Sequence, residues 1–471
     1  MTEYPRDLIG YRGDPPHANW PNHARIAVQF VINYEEGGEN NILHGDAASE
    51  AFLSEIVGAT AWPGQRHMNM ESIYEYGARA GFWRLRDMFV TREMPVTVFG
   101  VATALARNPA AVDAMRKAGW EIASHGLKWI EYKDFPEAEE RAHIQDAIRL
   151  HEQVVGSRPL GFYQGRASEH TLALTIEDGG FLYSADSYAD DLPFWYETDT
   201  SQQLIVPYTL DANDMRFATP QGFNSGDQFF AYLRDSFDVL YEEGAVRPKM
   251  LSVGLHCRLV GRPGRAAALA RFLDYVRSHD QVWVATRLDI ARHWIAQHPP
   301  TGGYVPSRMG RALFTAVFGD VFEHSPHIAE RTHAKGLTAA HDTAAGLHAA
   351  FVATMREMAR AEQHALISAH PDLAGRLALA NELSRNSARE QGSAGLDRLT
   401  AGALGRFTEL NDAYRARFGF PFVMAVKGAT QADIVGAFER RLSHTPEDEF
   451  AEALRQIELI ALFRLHDRMP E

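Results

Sequence analysis

Arg25–Gly38 reads RIAVQFVINYEEGG, a β-branched and aromatic run that stops at two acids and two glycines. Its length and composition predict a strand, with the acids where the strand meets its loop. Working outward, seven further runs have the same texture: PVTVFGV (95–101), GWEIASHG (119–126), LGFYQG (160–165), FLYSADSY (181–188), QLIVPYTL (203–210), MLSVGL (250–255) and QVWVAT (281–286). Between several of them stand amphipathic segments of helical period: SIYEYGARAGFWRLRDMFV (72–90), PEAEERAHIQDAIRLHEQVV (136–155), DQFFAYLRDSFDVLYEEG (227–244) and GRAAALARFLDYVRSH (264–279). Strands alternating with helices predict an irregular (β/α) barrel, where chemistry belongs at the C-terminal ends of the strands.

At 471 residues the chain is too long for one core, so two or three domains are expected. The texture changes at residues 298–307, HPPTGGYVPS, whose three prolines and two glycines continue neither helix nor sheet. The expected division is a barrel over 1–297, a linker over 298–307 and an all-helical bundle over 308–471. Thr445-Pro446-Glu447-Asp448 supports the last, with a cap, a proline at the first helical position and acids in the first turn. The single cysteine, Cys257, excludes an internal disulfide framework and a thiol-rich zinc cluster, and fits a reducing compartment. No run of about 18 apolar residues occurs, and the start, MTEYPRDLIGYRG, lacks the order of a signal peptide, so a cytoplasmic location is expected. With 47 Lys and Arg against 61 Asp and Glu, a net charge of -14 argues against nucleic acid or an anionic membrane as the main partner.

Glu35 and Glu36 stand side by side at the first strand end, where one carboxylate held charged and the other raised in pKa could divide acid and base roles. A bare pair of acids is more often a solvated loop. Here the third strand run closes on His125-Gly126-Leu127-Lys128-Trp129 and the seventh on Leu255-His256-Cys257-Arg258, so two imidazoles join the acids at strand ends.

These segments, in this order, resemble the polysaccharide deacetylase (NodB homology) superfamily. Glu35-Glu36 stand for its acidic pair, His125 with Trp129 for its His-x-x-x-His motif, Arg166 and Asp186 for its Arg and Asp segments, and Leu255-His256 for its late Leu-His. The superfamily binds a divalent metal with an acid and two His, and Trp129 stands where one His would be; an indole does not ligate. With NYEEGGENN and LHCRLVGRPGR, residues 1 to 297 look like the PuuE-type allantoinases, which open the hydantoin ring of allantoin without a metal. The resemblance implies Glu35 as general base, His256 as general acid, and Glu36 and His125 as substrate binders in place of metal ligands. Arg166, Trp129 and backbone amides of the glycine-rich loops are the expected donors to the oxyanion.

The helical part carries Ala369-His370-Pro371-Asp372-Leu373, Ser387-Ala388-Arg389-Glu390-Gln391, Leu410-Asn411 with Tyr414, Phe418-Gly419-Phe420-Pro421-Phe422-Val423, and Arg464. Pro371 keeps His370 out of a helical backbone, and 387, 390 and 391 lie within about one helical turn. Taken singly these read as a cap, a solvated face and a core loop. Together and in order they resemble the 2-oxo-4-hydroxy-4-carboxy-5-ureidoimidazoline (OHCU) decarboxylase family across nearly all of 308–471. That likeness implies a cofactor-free decarboxylase with His370 and Glu390 as the catalytic pair. Ser387, Gln391 and a bidentate Arg464 would bind substrate, with Glu390 fixing the imidazole, and Phe422 and Val423 would wall the site.

The two likenesses name consecutive steps of urate catabolism, so the favoured reading is a bifunctional enzyme acting on OHCU and then allantoin, as a homo-oligomer. Two readings compete with it: a zinc-dependent carbohydrate N-deacetylase in the N-terminal half, and a non-catalytic helical oligomerisation or regulatory module in the C-terminal half. A cavity carrying both His370 and Glu390 would count against the second.

Overall fold

All nine residues of β1 (Ile26–Tyr34) are buried, as expected of a parallel strand with helices outside and side chains inside. In this computed structural model, which describes residues 6–56, 58–373, 386, 387, 390 and 399–469, the chain divides into two compact units, Met1–Pro299 and Pro300–Glu471.

The first unit is built on β1, β2 (Thr97–Gly100), β3 (Glu121–Ser124), β4 (Gly161–Phe162), β5 (Tyr183–Ser184), β6 (Phe194–Glu197), β7 (Gln202–Ile205), β8 (Lys249–His256) and β9 (Val282–Val284). Their order is β6-β7-β5-β4-β3-β2-β1-β8, with β9 also on β1. β8 pairs along Ile26–Asn33, β2 takes the C-terminal part of β1 from Val31, and β9 takes Ile26–Val28. Every pairing is parallel except the hairpin of β6 with β7. Among the described residues β6 and β8 do not pair. The chain after β7 runs along β8 instead, Gly254 N donating to Ala212 O at 2.9 Å and Ser252 N to Thr209 Oγ1 at 3.1 Å. The barrel is thus irregular, part of its wall being loop.

Helices cover the outside, including Glu137–Val155, Gly226–Glu243 and Pro263–Arg277. Phe229, Leu233 and Phe237 of the second and Leu269, Phe272 and Leu273 of the third are fully buried, each burial stabilising by about 1.5–3 kcal/mol. Inside, Arg287 is fully buried and its Nη1 donates to Gln29 Oε1 at 2.7 Å and Ser252 Oγ at 2.9 Å, so a hydrogen-bonded guanidinium fills this part of the barrel.

In the second unit the described α-helices are Arg311–Phe318, Pro326–Ala334, Ala344–Arg356, Arg360–Ser368, Ala401–Phe418, Gln431–Arg441 and Pro446–His466. The last packs against three of the others through Phe450, Leu454, Ile457, Ala461 and Leu465, and the Thr445 side chain caps it on Asp448 N at 3.1 Å. The expected linker ends in a 3-10 turn, Pro306–Arg308. Among the described residues no helix is long and apolar enough to cross a membrane.

Candidate active sites

Side chains alternate along a strand, and the two acids of the first unit follow directly on β1, where their side chains part. Ile26, Val28, Phe30, Ile32 and Tyr34 join the core under the helices, so Gln29, Asn33 and then Glu35 face the barrel interior. On β8, Leu251, Val253 and Leu255 take the core side, so His256 faces inward beside Glu35, and Arg258, in the turn that follows β8, reaches Glu35 as well. Glu35 Oε1 lies 3.3 Å from His125 Nε2 and 3.3 Å from His256 Nε2, and its Oε2 lies 2.7 Å from Arg258 Nη1. His125 Nδ1 is 3.0 Å from the Tyr163 carbonyl, and His256 Nδ1 is 2.6 Å from Asp214 Oδ1.

Glu36, the expected substrate binder, is held by the protein itself and lies 3.8 Å from Arg258 Nη1. Its carboxylate accepts from Glu35 N and Arg258 N, each at 3.2 Å, and packs on Gly77. A Cβ at Gly77 would stand 2.4 Å from Glu36 Oε1, and one at Gly81 2.0 Å from the Cys257 carbonyl oxygen. These glycines bound a π-helical turn, Gly77–Gly81, which interrupts helix Met68–Thr91 and lets it lie directly on the strand ends.

Charge is distributed unequally over this cluster. Burial works to raise the Glu35 carboxyl, but the Arg258 guanidinium and then His256 hold it well below the usual range. Burial would lower His256, yet Glu35 and Asp214 outweigh it and push the imidazole up to about 9, so it is cationic at neutral pH. Burial pushes Glu36 up to about 7 against the pull of Arg258. The expected division of the acids into one charged and one raised carboxyl is present, but on opposite faces of the chain.

Trp129 and Arg166 form a wall beside the cluster. The Arg166 guanidinium lies 4.0 Å over the Trp129 ring and 4.7 Å over Phe52, and Trp129 N donates to Gly38 O at 2.8 Å. Arg258 reaches the same indole, its Cζ 5.0 Å from the ring. Asp186 accepts from Gln164 N and Gly165 N at 2.7 Å each, bracing the loop after β4. Sequence reasoning missed Asp214 and Arg258. The first lies some forty residues before its imidazole, and the second reads as one of several surface-type arginines.

In the second unit His370 follows helix Arg360–Ser368, as Pro371 requires. Its Nδ1 donates to the Leu366 carbonyl at 2.9 Å, which leaves Nε2 as a bare lone pair, and that atom is buried with no hydrogen-bond partner among the described residues. Burial lowers this imidazole to about 4, so it is neutral. It lines a narrow pocket with Ser387, Glu390, Phe422, Val423 and Arg464, a cavity carrying both members of the expected pair. Two expectations change. A backbone carbonyl, not Glu390, fixes the imidazole. Arg464 is committed to the protein rather than free to clamp substrate: Nε and Nη2 grip Glu390 at 2.7 and 3.0 Å, Nη2 also meets Glu323 Oε2 at 3.1 Å, and Nη1 reaches the Asp320 and Val321 carbonyls at 3.2 and 3.3 Å. Ser387 Oγ donates to the same Glu323 oxygen at 3.1 Å. Glu323, in VFEHSP, carried no sequence signal of this role. Gln391 lies outside the described residues.

Comparison with known proteins agrees with this division. The polysaccharide deacetylase family model matches residues 70–178 and the OHCU decarboxylase model residues 307–466. A Schizosaccharomyces pombe protein assigned to the polysaccharide deacetylases is 43% identical over 314 residues, 62% of this chain and 98% of that protein. The crystal structure of PuuE allantoinase is similar at 58% identity and a TM-score of 0.62, covering 63% of this chain and 99% of that one. The 2-oxo-4-hydroxy-4-carboxy-5-ureidoimidazoline decarboxylase of Halalkalicoccus jeotgali is 40% identical over 154 residues, 33% of this chain and 84% of that protein.

The divalent metal of the deacetylases does not fit the residues present. Glu36 is turned onto Gly77 and the Arg258 amide, Trp129 offers no lone pair, and a guanidinium already neutralises Glu35. Among the described residues no group of three or more His, Cys, Asp or Glu is arranged to hold a metal ion. By its relatives the chain belongs to the polysaccharide deacetylase family in its first unit and to the OHCU decarboxylase family in its second.

Proposed function

We propose that the chain decarboxylates OHCU to (S)-allantoin in its second unit and hydrolyses allantoin to allantoate in its first, without metal or cofactor. The observation that carries this reading is the conjunction of the two likenesses in one chain: the product of the decarboxylase is the substrate of the allantoinase. A cytoplasmic location and a closed homo-oligomer fit this role.

In the first unit a water attacks a carbonyl of the hydantoin ring. Glu35, charged and at the barrel mouth, orients that water and receives its proton. The His256 imidazolium, held by Asp214 through Nδ1, gives a proton to the departing ring nitrogen, and the new carboxylic acid passes its proton to the neutral imidazole, leaving a carboxylate. His125, with Nδ1 on the Tyr163 carbonyl, fixes the other side of Glu35.

In the second unit CO2 leaves with its bond electrons passing to the neighbouring carbonyl or imine of the ring. The bare Nε2 of His370 takes the hydroxyl proton and a proton returns to a ring carbon. A buried, neutral imidazole suits this, because it accepts a proton only when the substrate supplies one. Phe422 and Val423 exclude water, which weakens solvation of the departing carboxylate.

His370→Ala is expected to abolish decarboxylation and leave ring opening of added allantoin intact, and His256→Ala to do the reverse, each by on the order of 10²–10⁴. Loss of both activities in a folded variant would overturn the assignment of separate sites.

A further inference from the structure

Beside Glu35 the barrel mouth holds buried polar atoms that the protein itself leaves unused. Arg258 is fully buried; its Nε donates to the Leu53 carbonyl at 3.0 Å and its Nη1 pairs with Glu35, but its Nη2 has no hydrogen-bond partner among the described residues. Its guanidinium stacks 4.4 Å from the ring of Tyr74, whose hydroxyl is likewise buried and without a partner. Two orphan donors on side chains that stack on each other are costly to fold, since each is buried and gains no partner from the protein. A ligand that completes them accounts for their persistence beside Glu35.

Resting on the allantoinase reading, we infer that Arg258 Nη2 and the Tyr74 hydroxyl receive the ring carbonyl oxygen as it becomes an oxyanion, and then hold the carboxylate of the product. This replaces the sequence-based choice of Arg166 and Trp129, which are stacked on each other at the edge of the site. The placement follows from their common partner: His256, at the end of β8, and Arg258, in the turn that follows it, meet the two carboxylate oxygens of Glu35, so the proton donor and the charge stabiliser reach the same carbonyl group from neighbouring positions. In the step, water oxygen bonds to the carbonyl carbon, the C–N bond breaks, Glu35 takes the water proton and His256 supplies the nitrogen's. Arg258 and Tyr74 transfer nothing; they stabilise charge as it forms.

Tyr74→Phe removes only the unpartnered hydroxyl. It is expected to raise the melting temperature of the first unit while lowering kcat for allantoin by on the order of 10², with KM changed less than threefold. Arg258→Lys keeps the charge but loses the second donor arm, and is expected to weaken allantoate binding in calorimetry at least tenfold, together with kcat. A purely structural role for Tyr74 would instead lower stability and leave kcat intact. Unchanged kcat in Tyr74→Phe, or unchanged allantoate affinity in folded Arg258→Lys, overturns the inference. If the wild type binds allantoate through Arg258 but does not open allantoin, the carboxylate site stands, while the oxyanion role fails together with the reaction assignment. If it binds no allantoate, the inference falls.

Discussion

Replacing Arg464 by Lys separates two roles that a sequence cannot tell apart. As a substrate clamp, Arg464 would present its fork to the pocket, and Lys would raise KM with little effect on stability. In the structure all five guanidinium donors have partners within the protein: two on Glu390, one on Glu323 and two on backbone carbonyls. Lysine has three donors on one point charge and reproduces neither the bidentate grip nor the carbonyl contacts. At least two hydrogen bonds to charged groups are lost, each worth about 1.5–3 kcal/mol, partly offset by the retained charge and by water reaching the partly exposed Glu390. The expected net loss is about 2–3 kcal/mol of stability in the second unit. Decarboxylation should fall with it, because Glu390 and the Glu323–Ser387 pair lose their anchor. The assay is thermal unfolding of the variant alongside steady-state formation of (S)-allantoin, with a fall in kcat of on the order of 10–10² at nearly constant KM. Unaltered melting with a raised KM would restore the clamp and refute the positioning role.

The other predictions concern pH and metal. His256 has a folded pKa raised to about 9 from an ordinary 6.5, so its stabilising contribution is complete below about 6.5 and lost as pH rises through about 9. The rate kcat/KM for allantoin should fall over the same range, and Asp214→Asn should move the alkaline limb downward; a profile flat to pH 10 would remove His256 as the acid. His370 runs the other way: its pKa is lowered to about 4, so its contribution is complete above about 6.5 and lost as pH falls through about 4. Decarboxylation should hold steady from neutrality down to about pH 5, and an acid limb centred near 6.5 would show that Nε2 is solvated. Protein dialysed against a strong chelator should retain full ring-opening activity; activity that vanishes and returns with stoichiometric zinc would contradict the fit of the residues around Glu35.

The sheet was legible because its strands are apolar runs of fixed texture, and each of the eight runs overlaps an observed strand. β6 was not, since Phe194–Glu197 is partly exposed and owes its extended form to β7 alone. Helix Glu137–Val155 could be read nearly to the residue, its ends set by Pro136 and by Gly156 in a left-handed conformation. Glu35, His125 and His256 were legible as strand-end residues. The opposite orientations of Glu35 and Glu36 were not legible, because both acids lie past the end of β1, where the two-residue period of the strand no longer applies. Asp214 and Glu323 are partners created by tertiary folding, and no spacing rule links them to His256 or Arg464. Arg258 and Arg464 carry no mark in sequence of what their guanidiniums will meet.

The most direct test follows one sample of freshly generated OHCU with wild-type protein by NMR, resolving allantoin and allantoate separately. The account predicts OHCU consumed faster than in protein-free buffer, (S)-allantoin rising and then falling, and allantoate as the end product. Allantoin that accumulates no faster than without protein, or that is never converted to allantoate, would contradict it.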